Sequence, residues 1–176
     1  LAYRIAHCLL ARKRPLPVAL LLSACAAPSR QDAKRYTDKD SDASLIADLR
    51  KQKGTPEEVF ESPELLSMTL SLLGMDYRIC ASFRYTELAP LPIPIHVFGG
   101  RADEISPARL DAWRFESATD FSLDWFEGGH FFLRQHDDAF PPVLVLRLAG
   151  CAVASLRATP TSSCHCSSPR RGMAAY

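Results

Sequence analysis

What the sequence most conspicuously lacks is an excess of charge of one sign: 21 Lys and Arg stand against 20 Asp and Glu, for a net charge of +1. Such a chain has no strong field to draw in a polyanion, which argues against a nucleic-acid partner. It also lacks a long apolar run. The most hydrophobic stretch, near residues 15–25, falls short of the roughly 20 residues that span a bilayer, so no membrane insertion is expected. The six cysteines, at 8, 25, 80, 151, 164 and 166, show neither the density of a disulfide scaffold nor the paired hooks of a zinc site. That usage fits a reducing cytoplasm. Cys164-His165-Cys166 is too compact to close a tetrahedral metal site and has no second pair to complete it.

One segment imitates an envelope signal. Arg12-Lys13-Arg14, the apolar residues after them and a Leu-Ser-Ala-Cys run ending at Cys25 follow the order of a lipoprotein leader. Pro15 and Pro17 break the start of what should be a helical apolar region, and an amphipathic stretch precedes it. Lipid anchoring through Cys25 is therefore the weaker reading.

What remains is globular: 47% hydrophobic and 23% charged residues in a chain of 176 suit one modest domain. Residues 1–14 carry Leu1, Ile5, Cys8 and Leu9 at helical spacing and end in a basic cluster, as helix C-termini prefer. Residues 18–22 form a continuous apolar run, the pattern of a strand buried on both faces of a parallel sheet. Residues 31–53 are polar, with helical periodicity only at 43–49. Thr55-Pro56-Glu57-Glu58 and Ser62-Pro63-Glu64 read as two helix starts, each with a cap, a proline in the first turn and acidic residues beside it. A broad apolar face follows to about Tyr85.

Residues 94–98 predict a second buried strand ended by Gly99-Gly100, Ser106-Pro107 a helix carrying Leu110 and Trp113, and residues 121–126 a third strand. Strands alternating with helices imply a mainly parallel α/β sheet. Residues 143–148 suit either a terminal helix or a short strand. From Gly150 the periodicity lapses, so residues 149–176 are expected to be disordered or foreign to a domain spanning residues 1–148.

Two segments carry chemistry: Phe98-Gly-Gly-Arg-Ala-Asp103 and Trp125-Phe-Glu-Gly-Gly-His130. In α/β-hydrolases the triad runs serine, acid, histidine along the chain, each on a loop after a strand's C-terminal end. Asp103 and His130 stand at two such ends. A carboxylate accepting from one imidazole nitrogen leaves the other free as a base. Glu104 is expected to be solvated. His96, inside an apolar strand, suits a satisfied core histidine better than a ligand. His136, Asp137 and Asp138 read as an exposed helix turn.

Gly54-Thr-Pro-Glu-Glu, Phe83-Arg-Tyr85, Pro92-Ile-Pro-Ile-His-Val-Phe-Gly-Gly100 and, most specifically, Gly128-Gly-His-Phe-Phe-Leu133 resemble the type II thioesterases that accompany polyketide and nonribosomal peptide synthases. The resemblance covers about residues 1–146. It implies the C-terminal part of an α/β-hydrolase, with residues 43–85 as a helical lid whose Leu66, Leu70 and Leu73 either line an acyl channel or simply pack. It implies a catalytic Asp103 and His130, and a nucleophilic serine in a Gly-x-Ser-x-Gly elbow just upstream of Leu1. It implies no cofactor and no metal, and a carrier protein bearing an acyl-phosphopantetheine as partner. No Gly-x-Ser-x-Gly occurs within the chain, so by itself it is expected to be close to inert. A truncated or frameshifted product that keeps only ancestry is the competing expectation.

Overall fold

The computed structural model describes residues 1–32, 34–135 and 138–158. In chain order it contains α1 (Ala2–Ala11), β1 (Leu20–Ser23), α2 (Lys34–Thr37), α3 (Asp42–Gln52), α4 (Glu57–Glu61), α5 (Pro63–Ser82), β2 (Ile95–Gly100), α6 (Pro107–Asp111), β3 (Phe121–Phe126), α7 (Phe132–Gln135) and α8 (Phe140–Ala158). Short 3-10 turns cover Pro28–Arg30 and Ala112–Glu116. The three strands form one parallel sheet in the order β1-β2-β3, with Leu20 opposite Ile95 and Ile95 opposite Phe121.

Strand alternation divides the core in two, because successive side chains point to opposite faces. Ile95 and Val97 of β2 join Leu20 and Leu22 of β1 and Leu123 and Trp125 of β3 on one face, which packs on Leu110, Trp113 and α1. Phe98 and Phe126 point the other way, onto Phe132, Phe140 and Val143. All six residues of β2 are buried, since it has a neighbour on each edge and packing on both faces. Fully burying a side chain such as Phe98 contributes roughly 1.5–3 kcal/mol. Tyr3 of α1 donates to the buried carboxylate of Glu116 and packs edge-on against Trp113, whose indole N–H donates to the carbonyl of Cys25 at 2.7 Å. These bonds fix α1 on the sheet.

Four expectations change. β1 begins at Leu20 and is not buried on both faces: it is the outer strand among those described, and Leu21 is 37% exposed. β2 runs on through Gly99 and Gly100 instead of stopping before them. Pro56, in an extended conformation, stands at the N-cap of α4 in place of Thr55 and makes no side-chain cap. Residues 143–148 take the helical one of their two expected forms, and the change is that this helix, α8, continues past Gly150 to Ala158, with Cys151 buried. An added Cβ at Gly150 would meet nothing within 4 Å, so the helix passes through the glycine at a conformational cost alone. Cys164, His165 and Cys166 and the rest of the expected tail lie outside the described residues, as do His136 and Asp137.

The second predicted helix start holds. The Ser62 hydroxyl accepts from the N–H of Leu65 at 3.4 Å, and Pro63 opens the 20-residue α5. α3 begins in a reciprocal box in which Ser41 and Ser44 bond each other's backbone. Together α2 to α5 form a helical layer between β1 and β2.

Candidate active site

Asp103 and His130 follow β2 and β3, adjacent parallel strands, so their loops emerge side by side at the C-terminal end of the sheet. The chain brings the loops into backbone contact. Arg101 N–H donates to the Phe126 carbonyl and Ala102 N–H to that of Gly128, each at 2.9 Å. Gly100 makes this possible: a Cβ there would lie 2.6 Å from the Gly128 carbonyl oxygen and nearer still to that of Gly129. Gly128 itself turns with φ 106°, a conformation that residues with a Cβ rarely adopt.

Within this frame His130 Nδ1 lies 3.1 Å from Asp103 Oδ2. The Asp103 side chain is 2% exposed and that of His130 29%. The buried carboxylate is thus capped by the ring, while the ring keeps a face to the cleft. The Ile105 N–H also donates to Asp103 Oδ1 at 3.3 Å. Burial alone would raise the Asp103 pKa. The hydrogen bond and charge of His130 and the backbone N–H groups of Ile105 and Glu104 outweigh it and hold the carboxyl below its ordinary value. An ionised Asp103 on Nδ1 keeps the proton there and leaves Nε2 free to accept one, the arrangement of a general base.

Phe132, fully buried, stacks on Phe126 at 5.3 Å and anchors the chain immediately after the histidine. Phe131 turns the other way. Its ring meets His130 edge-on at 5.2 Å and fills the space that a side chain at Gly54 would need. Arg134 donates to the Gly54 carbonyl at 2.9 Å. The helical layer is therefore latched to the histidine loop at Gly54. Sequence reading marks Gly54 as a break between helices; that an aromatic ring from 77 residues away occupies its missing side chain leaves no local signal.

Two cavities open beside His130. One, of about 340 Å³, contains Asp103, Glu104, Phe131, Arg35 and Lys53 in its wall. The other, of about 250 Å³, runs under the helical layer past Cys25, Leu73, Tyr77, Cys80 and Ile105. Leu73 thus lines a chamber that reaches His130, whereas Leu66 and Leu70 line a separate cavity of about 890 Å³ between α5 and the preceding helices. Glu104 is exposed and pairs with Lys51 at 2.6 Å. His96 is buried and away from this site, with Nδ1 at 2.8 Å from the Ser122 hydroxyl and Nε2 at 3.3 Å from the Cys151 sulfur. Among the described residues no group of three or more His, Cys, Asp or Glu side chains is placed to hold a metal ion, and no helix is long and apolar enough to cross a membrane.

The fold agrees with comparisons to known proteins. The thioesterase domain family matches residues 1–147. The gramicidin S biosynthesis protein GrsT of Aneurinibacillus migulanus is 33% identical over 134 residues, covering 76% of this chain and 52% of that protein. The structure of BorB, a type II thioesterase from the borrelidin biosynthetic cluster, superposes with a TM-score of 0.72 at 37% identity over 84% of this chain and 60% of that one. RedJ, a thioesterase of the prodiginine pathway of Streptomyces coelicolor, gives 0.68 at 26% identity over 85% and 57%. The chain spans about half the length of the curated relative GrsT. With the parallel sheet, the helical layer between β1 and β2 and the stitched Asp103 and His130 loops, this places the chain in the thioesterase family, among the type II thioesterases of α/β-hydrolase fold.

Proposed function

We propose that these residues form the acid–base half of a thioesterase that removes acyl groups from the phosphopantetheine arm of a carrier protein in polyketide or nonribosomal peptide synthesis. The single observation that carries this reading is the 3.1 Å contact between His130 Nδ1 and the buried Asp103 carboxylate, on loops after adjacent parallel strands. The attacking serine belongs to a Gly-x-Ser-x-Gly elbow ahead of Leu1. His130 Nε2 takes the serine proton as the hydroxyl attacks the thioester carbonyl, and returns it to the leaving thiol. The acyl-serine is then opened by a water that gives its proton to the same nitrogen, which passes it to the departing serine oxygen as the acid is released, and Asp103 stabilises each transient imidazolium. In this reading the acyl group enters the chamber lined by Leu73, Tyr77 and Cys80, which is supported by the presence of His130 in the same lining. The reaction is assigned to the cytoplasm, which the scatter of six cysteines without a disulfide framework supports.

The test is hydrolysis of an acyl-phosphopantetheinyl carrier protein, followed by mass spectrometry of the carrier. A protein in which residues 1–176 follow such an elbow is expected to release the free acid, and its Asp103→Asn variant to do so about 10⁴-fold more slowly. The 176-residue chain alone is expected to match buffer. Equal rates for the parent and the Asp103→Asn variant would refute the assignment.

A further inference from the structure

We propose that α5 carries a self-association surface through which two copies of this chain pair their helical layers in antiparallel fashion. The observation is a continuous apolar stripe on the outer side of α5. Leu65, Met68, Leu72, Met75 and Ile79 are 49%, 64%, 57%, 43% and 68% exposed. Their spacing alternates three and four residues, the 3.5-residue period of a coiled-coil seam. The opposite side of the helix is already used: Leu70 and Gly74 are buried, and Leu66 and Tyr77 line the cavity against α2 and α3, with Ser71 and Arg78 also in its lining though exposed. Single exposed apolar residues are ordinary, but five aligned over four turns form a contiguous patch of the kind that marks an interaction site. The preference of α5 for helix does not require them, since Ser62 and Pro63 already define its start.

The flanking charges select the occupant and the register. Two antiparallel registers each stack four apolar layers. One sets Met68 against Ile79 and Leu72 against Met75 of the second copy, and brings Arg78 only beside Ser71. The other sets Leu65 against Met75 and Met68 against Leu72, and brings Glu64 of each copy beside Arg78 of the other. Both of these residues are exposed, and among the described residues neither forms an ion pair within its own chain. In this register Ser71 and Thr69 meet their own copies at the twofold axis, so no like charges face one another. Self-complementarity of this kind is what a twofold interface between identical chains demands. A second copy is therefore the occupant that the charge pattern fits.

Glu64 and Arg78 are both on the surface, so exchanging their charges disturbs no packed side chain; because Glu64→Arg also removes an acid from the first turn of α5, the helix content of each variant is checked by circular dichroism. The self-association of the full chain is measured across concentration by sedimentation equilibrium for the parent, for Glu64→Arg, for Arg78→Glu and for an equal mixture of the two variants. Each variant alone replaces two attractive pairs by two repulsive ones and is expected to associate roughly tenfold more weakly than the parent. The mixture is expected to recover the parent's association, because opposite charges again meet at both pairs. Leu72→Glu is expected to leave a folded monomer, checked by circular dichroism. A parent chain that stays monomeric at every concentration, or single variants that associate as tightly as the parent, would overturn the proposal.

Discussion

The imidazole of His130 is held 3.1 Å from a carboxylate that is itself almost wholly removed from water, that of Asp103. The pairing sets the ring's tautomer, because an ionised acceptor on Nδ1 keeps the proton there and bares Nε2. In nitrogen-15 NMR spectra above pH 8, His130 is expected as the Nδ1–H tautomer in the parent, with that preference lost in Asp103→Leu. Retention of one tautomer in both proteins would assign it to some other contact.

Acid stability follows from the same carboxylate and from Asp48. Asp48 is also buried; burial pushes its pKa up, but hydrogen bonds from Lys39 and Tyr77 and the charge of Lys39 outweigh that and hold it below the ordinary 3.8. A depressed carboxyl pKa stabilises the fold above the unfolded value and loses that contribution as pH falls through the folded value. The contribution of these two carboxylates to stability, measured by denaturant unfolding, is therefore expected to be level above about pH 5 and to be lost below about pH 4, beneath a separate decline that begins below about pH 6.5 because burial holds His7 and His96 neutral. Asp103→Asn is expected to flatten part of that acid limb while lowering stability at neutral pH.

Asp48 is the polar tie inside the helical layer. Lys39, Tyr77 and Gln52 all donate to it, joining α3 to α5 and to the segment before α3. Asp48→Ala strands three donors at once and is expected to cost about 3–5 kcal/mol in urea unfolding. A loss under 1 kcal/mol would mean that water replaces the carboxylate freely.

Two glycines are expected to respond with opposite signs. Gly100→Ala drives a Cβ into the backbone carbonyls of Gly128 and Gly129, which cannot rotate away as a side chain does. It is expected to destabilise by about 2–4 kcal/mol and to disturb the Asp103 and His130 contact. Gly150→Ala, in α8 with open space around it, is expected to stabilise by about 0.5–1 kcal/mol. Thermal unfolding of the two variants side by side checks both signs.

The sites legible in the sequence were those with short-range causes. The three strands, the Ser62-Pro63 helix start and the loops bearing Asp103 and His130 each rest on a few adjacent residues. His96 was readable as a core histidine because its neighbours are apolar, though its partners Ser122 and Cys151 come from other elements. The course of α8 was not readable. Gly150 and the small residues after it weaken helical periodicity, whereas the bidentate pair of Arg147 with Asp124, at 2.9 and 2.6 Å, and the burial of Cys151 hold the helix on the sheet. The apolar run at residues 18–22 reads as doubly buried because such a run does not report which side chains are covered, and Leu21 is 37% exposed. The latch of Phe131 at Gly54 depends on contacts across the fold and has no counterpart in local pattern.

The role of His130 is tested by the rate at which the elbow-containing protein releases acid from an acyl-phosphopantetheinyl carrier, compared between the parent and His130→Ala. A loss of at least about 10³-fold in kcat is expected, with the variant's circular dichroism unchanged. A folded variant that hydrolyses the thioester at the parent's rate would contradict it.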